Sequence, residues 1–329
     1  MAEFPDNYFR KIDFTLQAGC PVRCDFCPQI LFLKEYKSPE KKITIDNFKL
    51  ALSNLKNSSV KTIQFAGFSE PLYHKNFYDF VVLSVEAGFE VLVISTLKGL
   101  DTERLKNIKN LPVIWEVSIQ PINMQNRKGL NDEEAWNNIK SFMKLNFKFQ
   151  PIFRCLDLNL SVEERNRLIM QGKELGIKNI VFGEFNTRAG IIAENQINKF
   201  GKKIICGYNI PPEILPNGDV LLCCMDFGVK HKIGNIFKES FEKILSSDSL
   251  KKIINTMSLK EEGKILCHTC EAAIPMRKIV PSICYAKTRE MIYHNLITDN
   301  FLPLGSSRRE KVKYILKKLG ILYGFKSKS

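Results

Sequence analysis

The sequence predicts an α/β fold. An open, partial barrel of six parallel β/α units spans residues 8–195, a small α+β unit spans 196–275, and a basic helical extension spans 276–329. Three observations lead there. Short β-rich runs alternate with longer helical segments from residue 10 to 185, which argues for a parallel sheet. Six strands are too few to close an eight-stranded barrel. The alternation stops near residue 190, and 329 residues exceed what one compact core usually covers.

The strand candidates, in order, are "KIDFTLQ", "VKTIQFAG", "EVLVIST", "VIWEVSI", "FKFQPIF" and "IKNIVFG". Helices are expected near 46–57, 75–87, 101–108, 132–145 and 161–175. Thr44 and Asp46 mark the start of the first helix. Ser161 and Glu164 have the spacing of a capping box at the start of the last. Gly88 and Gly176 fit helix C-termini that lead into strands. Beyond the connector "RAGIIAENQINKFGKK" comes "PPEILPNGDVLLCC", a hairpin turning at Asn217-Gly218. A helical stretch over 238–256 follows, and then a helical, basic remainder.

Hydrophobic content of 44% is that of an ordinary globular protein. The start, "MAEFPDNYFRKIDF", has no apolar block of a signal peptide. "FVVLSVEAGFEVLVI" is interrupted by Glu86 and Glu90, so it does not read as a membrane span. A cytoplasmic location is expected. There, ten cysteines point to metal binding or catalysis and not to disulfides. The net charge is +14, but residues 308–329 hold eight Lys or Arg against one Glu. The body is only mildly basic and shows no aromatic base-stacking signature, so no nucleic-acid partner is expected.

Cys20, Cys24 and Cys27 in "CPVRCDFC" follow the first strand with C-x3-C-x2-C spacing. Three thiolates can hold three corners of an iron–sulfur cubane and leave one iron open to a ligand. A zinc knuckle would want a fourth Cys or His nearby, and this loop has none.

This loop resembles the signature of the radical S-adenosylmethionine (SAM) superfamily, with Phe26 at the aromatic place before the third cysteine. The resemblance implies a 4Fe-4S cluster whose open iron chelates SAM. Reductive cleavage then yields a 5′-deoxyadenosyl radical that takes a hydrogen atom from substrate carbon. "FAGFSEPL" resembles the Gly-Gly-Glu-Pro motif that receives the SAM amino group: Ala66, Gly67, Glu70 and Pro71 match, with Phe68 and Ser69 inserted. Ser95 and Thr96, Ser118 and Gln120 end the third and fourth strands, where such enzymes often touch the ribose or methionine. Asn186 and Arg188 lie in a stretch similar to one at the exit of the sixth strand. Arg154 would suit a carboxylate or phosphate, or a salt bridge.

Cys206, Gly218, Cys223 and "CHTC" (Cys267, Cys270) resemble the framework of SPASM and twitch extensions. Only Cys284 follows, so the shorter twitch type with one auxiliary 4Fe-4S cluster is expected. Cys223 is favoured as the ligand over Cys224 by its spacing from Gly218. A structural zinc site is the rival reading of these four thiols. His268, between two ligands, is expected to be solvated.

The resemblance implies an enzyme fed by a one-electron reductant such as flavodoxin or ferredoxin. Dehydrogenation of a small polar substrate, such as a sugar or cyclitol, is expected, with the auxiliary cluster as electron acceptor. The setting would be surface-polysaccharide or secondary-metabolite biosynthesis. An epimerase would instead need a thiol to return hydrogen, and Cys155 and Cys284 are the candidates. Peptide or protein modification is a further alternative. A first strand beginning near residue 10 is read as leaving no room for a leader-recognition domain. A non-catalytic zinc- or RNA-binding role is the alternative of another class. In "RREKVKYILKKLGILYGFK" one apolar face is flanked by lysines, so the tail is a candidate for peripheral membrane contact.

Overall fold

The computed structural model describes residues 9–122, 126–184, 186–192, 197–207 and 210–275. Cys284 and the basic tail lie outside them.

The first half runs β1 (Lys11–Phe14), α1 (Gln29–Glu35), α2 (Ile45–Leu55), β2 (Thr62–Phe65), α3 (Phe77–Glu86), β3 (Glu90–Ser95), α4 (Thr102–Ile108) and β4 (Val113–Ile119). It continues with α5 (Asp132–Met143), β5 (Ile152–Asp157), α6 (Val162–Glu174) and β6 (Ile180–Glu184). The second half adds β7 (Ile204–Cys206), β8 (Glu213–Ile214), β9 (Asp219–Leu221), β10 (Lys232–Asn235), α7 (Phe241–Leu245), α8 (Asp248–Met257) and β11 (Ala273–Pro275). Strands β1 to β6 are parallel and adjacent in sequence order, the expected partial (β/α)6 barrel.

The caps behave as the sequence implies. The Thr44 side chain accepts from the Asn47 N–H, and Ser161 with Glu164 forms the reciprocal capping box. Gly88 and Gly176 have φ of +89° and +79°, the left-handed turn that lets a helix hand over to a strand.

Four differences stand out. Helix α1 was not expected; its Phe32 is buried against Tyr36 and Phe68, contacts remote from its own sequence signal. The fifth strand begins later than "FKFQPIF" suggests and runs through Arg154 to Asp157. The helical stretch at 238–256 is two helices, because Ser247 caps a new one. The fourth concerns the join at residue 196. The sheet does not stop there: β8 pairs in parallel with β1, and β9 and β10 extend it antiparallel to nine strands.

Alternation along the strands separates two environments. Ile12 and Phe14, Ile63 and Phe65, Val91 and Val93, Trp115 and Val117 are buried in the core shared with the helices. Aromatic rings fill that layer: Phe14 meets Phe48 at 5.2 Å, Phe48 meets Phe80 at 4.5 Å and Trp115 meets Phe142 at 5.3 Å between centroids. The opposite face carries polar residues that pair across neighbouring strands. Gln64 donates to Asp13 across β1–β2 at 2.9 Å, and Arg154 pairs with Glu116 across β4–β5 at 2.5 Å. A polar lining on a buried face is costly unless paired, and these pairs supply the partners.

Candidate active site

The site gathers at the carboxyl ends of β1 to β4. The Cys20–Cys27 loop leaves β1 and is pinned from an unexpected quarter. Cys24 forms an isolated antiparallel bridge with Arg127, and the Asp25 N–H donates to the Asn126 carbonyl at 3.0 Å. The Arg127 guanidinium donates to the Ser118 carbonyl at 3.0 Å and to Ser118 Oγ at 2.7 Å. It is half-buried, and its charge acts on Cys24. The three thiols lie within electrostatic reach of one another. Burial pushes Cys20 and Cys24 up to about 11, and Cys27 is raised by the same cause. The Arg188 charge acts against that rise at Cys27.

Glu70 organises the 66–70 loop. Its Oε1 accepts from Ser95 Oγ at 2.6 Å and the Leu72 N–H at 3.3 Å. Its Oε2 accepts from the Thr96 N–H at 2.8 Å and Thr96 Oγ1 at 2.6 Å. Burial raises its pKa and these bonds act against the rise. Ser95, expected near SAM, is thus buried beneath Glu70, and its hydroxyl also accepts from the Leu97 N–H at 2.7 Å. Pro71, next to Glu70, is buried. The inserted Phe68 packs its ring 4.2 Å from Phe227 of the C-terminal unit.

A cavity of about 330 Å³ opens between the carboxyl end of β4 and α5, lined by Thr96, Ser118, Gln120, Asn126, Arg127 and Trp136 among others. Three buried donors around it, Gln120 Nε2, Asn126 Nδ2 and Arg127 Nε, have no hydrogen-bond partner. Buried donors are almost always satisfied, so three orphans round one cavity call for a ligand rich in acceptors. SAM, with its carboxylate, ribose oxygens and ring nitrogens, fits that requirement. Asn126 and Arg127 were not singled out from the sequence, because their bridge to Cys24 joins segments a hundred residues apart. Phe26 is half-buried in the cysteine loop, and Ala66 and Gly67 lead from β2 into the loop that Glu70 holds.

Two further expected residues are engaged by protein partners. Arg154 is held by Glu116, with Nη2 to Oε2 at 3.1 Å, so the salt bridge forms. Cys155 is fully buried on the same strand face as Phe153, and its thiol donates to Gln120 Oε1 at 3.6 Å. Burial pushes it up to about 12.

A second cavity, about 40 Å³, is ringed by Cys206, Cys223, Cys267 and Cys270. Cys224 is not among its lining residues; it packs instead against the apolar group that includes Phe68 and Phe227. The 186–190 loop docks on the same region. The Thr187 N–H and hydroxyl donate to Glu271, and Thr269 Oγ1 donates to the Ala189 carbonyl at 2.8 Å. Asn186 Oδ1 accepts from the Arg188 N–H at 3.2 Å, and the Arg188 side chain lies over Phe227. His268, expected to be solvated, is 2% exposed, because its ring packs against Phe200 at 4.4 Å. Among the described residues no three Cys, His, Asp or Glu side chains close on a single metal ion. Four thiols around a cavity suit a multi-atom cluster.

Residues 212–271 match the SPASM family, an iron–sulfur cluster-binding domain. No curated protein sequence matches the chain. Solved structures resemble it at low identity. Streptococcus suis SuiB bound to precursor peptide SuiA superposes with a TM-score of 0.60 at 13% identity, over 80% of this chain and 70% of that one. Native anSMEcpe with bound AdoMet and a Cp18Cys peptide gives 0.56 at 14% identity, over 79% and 86%. BtrN in complex with AdoMet and 2-DOIA gives 0.49 at 17% identity, over 83% and 95%. The partial barrel, the three-cysteine loop and the matched domain define the class: a radical SAM fold with a SPASM-type iron–sulfur domain behind it. Cys20, Cys24 and Cys27, gathered in one loop, could hold one cluster. Cys206, Cys223, Cys267 and Cys270, around one cavity, could hold a second.

Proposed function

We propose that this chain is a radical SAM oxidoreductase that dehydrogenates a small polar substrate. When bound, cluster and SAM supply a 5′-deoxyadenosyl radical that removes a hydrogen atom from substrate carbon. The chain's own contribution is to hold and shield. Arg127 and Ser118 build the wall beside Cys24, and Glu70 fixes the 66–70 loop to β3. The observation that carries the reading is the orphaned-donor cavity whose lining residues Asn126 and Arg127 pair by backbone with the three-cysteine loop. The ring of four thiols closes its own coordination, which suits electron acceptance better than substrate binding. The Glu116–Arg154 pair on the polar barrel face favours a hydrophilic substrate. A sugar or cyclitol has that chemistry, and a flavodoxin or ferredoxin would supply the electron.

Peptide modification is the second reading. It is favoured by the SuiB and anSMEcpe likenesses, since both structures hold peptides. A hydrogen-returning thiol would make the chain an epimerase. Cys155 is packed in the core, and Cys284 lies outside the described residues. Incubation with candidate alcohols and peptides under reductant, read by mass, separates the outcomes. Loss of two hydrogens from a polyol supports the proposal. Turnover only of peptides removes the small-substrate reading, and solvent deuterium gained without net oxidation removes dehydrogenation.

A further inference from the structure

Two carboxylic acids meet at the seam between the barrel and the C-terminal unit. Asp13 of β1 and Glu213 of β8 are register partners in the parallel pairing that joins the two, and their side chains hydrogen-bond to each other. They are 1% and 0% exposed. Gln64 Nε2 donates to one Asp13 oxygen at 2.9 Å, and Thr15 Oγ1 donates to Glu213 Oε1 at 2.6 Å. The remaining oxygens, Asp13 Oδ1 and Glu213 Oε2, have no donor. Two buried acceptors cannot face one another without a proton between them.

The pair also lies directly under the proposed SAM-binding loop. Thr15 Oγ1, while donating to Glu213, accepts from the Phe68 N–H at 2.7 Å. The backbone N–H groups of Ala66 and Gly67 act on Asp13. A Cβ on Gly67 would meet Thr15 Oγ1 at 2.2 Å and Glu213 Oε1 at 2.3 Å, so the loop lies flat on the pair only because residue 67 is glycine. We propose that Asp13 and Glu213 share one proton and act as positioning residues: through Thr15 the acid of the C-terminal unit sets the 66–70 loop, so that SAM binding depends on that unit being docked. The inference rests on the SAM-binding role of that loop.

The groups facing the pair are Thr15 on β1, Gln64 and the 66–67 backbone at the end of β2, and the Cys224 thiol from the C-terminal unit. Burial pushes Asp13 up to about 6 and Glu213 well above the carboxyl range. The folded chain therefore binds more protons than the unfolded one. Stability falls as pH rises from the ordinary carboxyl range through these folded values.

Three substitutions in the full chain test this. Glu213→Gln and Asp13→Asn each replace the shared proton by an amide N–H, whereas Thr15→Val cuts the link to the loop and spares the pair. In infrared difference spectra at neutral pH, wild type minus either amide variant shows a protonated carboxyl band, and wild type minus T15V does not. SAM affinity of E213Q stays within about threefold of wild type, while T15V loses about thirtyfold, the cost of two unpaired buried groups at its low end. E213A, which cuts the same link from the other side, carries the expectation of T15V. E213Q also flattens the fall of stability with pH. No carboxyl band in wild type, or wild-type SAM affinity in T15V and E213A, overturns the proposal. The infrared and stability readings need no SAM chemistry. They therefore fail separately from 5′-deoxyadenosine formation, on which the radical SAM reading stands.

Discussion

Arg127 is the residue on which the candidate site turns. Its planar fork grips both the carbonyl and the hydroxyl of Ser118 while its backbone pairs with Cys24. A lysine cannot reproduce that fork. Arg127→Ala and Arg127→Lys are both expected to weaken SAM binding about tenfold or more, with the far-ultraviolet circular dichroism unchanged. Calorimetric titration under anaerobic conditions measures it, and near-wild-type affinity in R127K would show that only the charge matters. Cys20, Cys24 and Cys27 were legible from their spacing because one short loop carries all three. Arg127 and Asn126 were not, since nothing in "NRKGL" signals a partner a hundred residues away. Glu70 was legible as a motif residue, but its four hydrogen bonds to Ser95, Thr96 and Leu72 show it spent on the protein as much as on a ligand.

Elements were read best where local chemistry decides them. Helix α6 begins at its capping box, and Ser161→Ala should cost about 1 kcal/mol in denaturant unfolding, with the slope unchanged. An unchanged midpoint would mean that packing alone starts this helix. Strand β5 was misplaced because "FKFQ" alternates like a strand, whereas pairing with Glu116 to Ile119 fixes the ladder at Ile152 to Cys155. Helix α1 was missed because its seven residues carry too little periodicity and are held by Phe68 and Tyr36. Gly67→Ala is the sharpest test of an element junction. With φ of +62° and two oxygens inside 2.4 Å of a new Cβ, the loop must move. It should lose about 1–3 kcal/mol of stability together with SAM binding. A variant as stable as wild type would contradict this packing.

At the scale of the whole molecule, the barrel and the SPASM-type unit share one sheet, so neither half of the site is built alone. The sequence marked both units but not their join, because two-residue β8 has no periodicity to read. Among the described residues no helix is long and apolar enough to cross a membrane, and the basic tail considered for peripheral contact lies outside them. The division of labour between the cysteine sets makes a further prediction. Replacing Cys206, Cys223, Cys267 and Cys270 by Ala should remove about half of the iron and abolish product while leaving SAM cleavage. Cys224→Ala should keep all the iron, since Cys224 packs against the apolar group of Phe68 and Phe227 and does not line the four-thiol cavity. Iron lost in C224A would exchange the roles of the two neighbours.

The central claim is that Cys20, Cys24 and Cys27 serve SAM cleavage. The most direct measurement is 5′-deoxyadenosine formed by anaerobically purified protein given SAM and a strong reductant. The account predicts a brown protein with roughly eight irons and little zinc, steady 5′-deoxyadenosine, and none from Cys24→Ala. A colourless zinc protein, or C24A cleaving SAM at the wild-type rate, would contradict it.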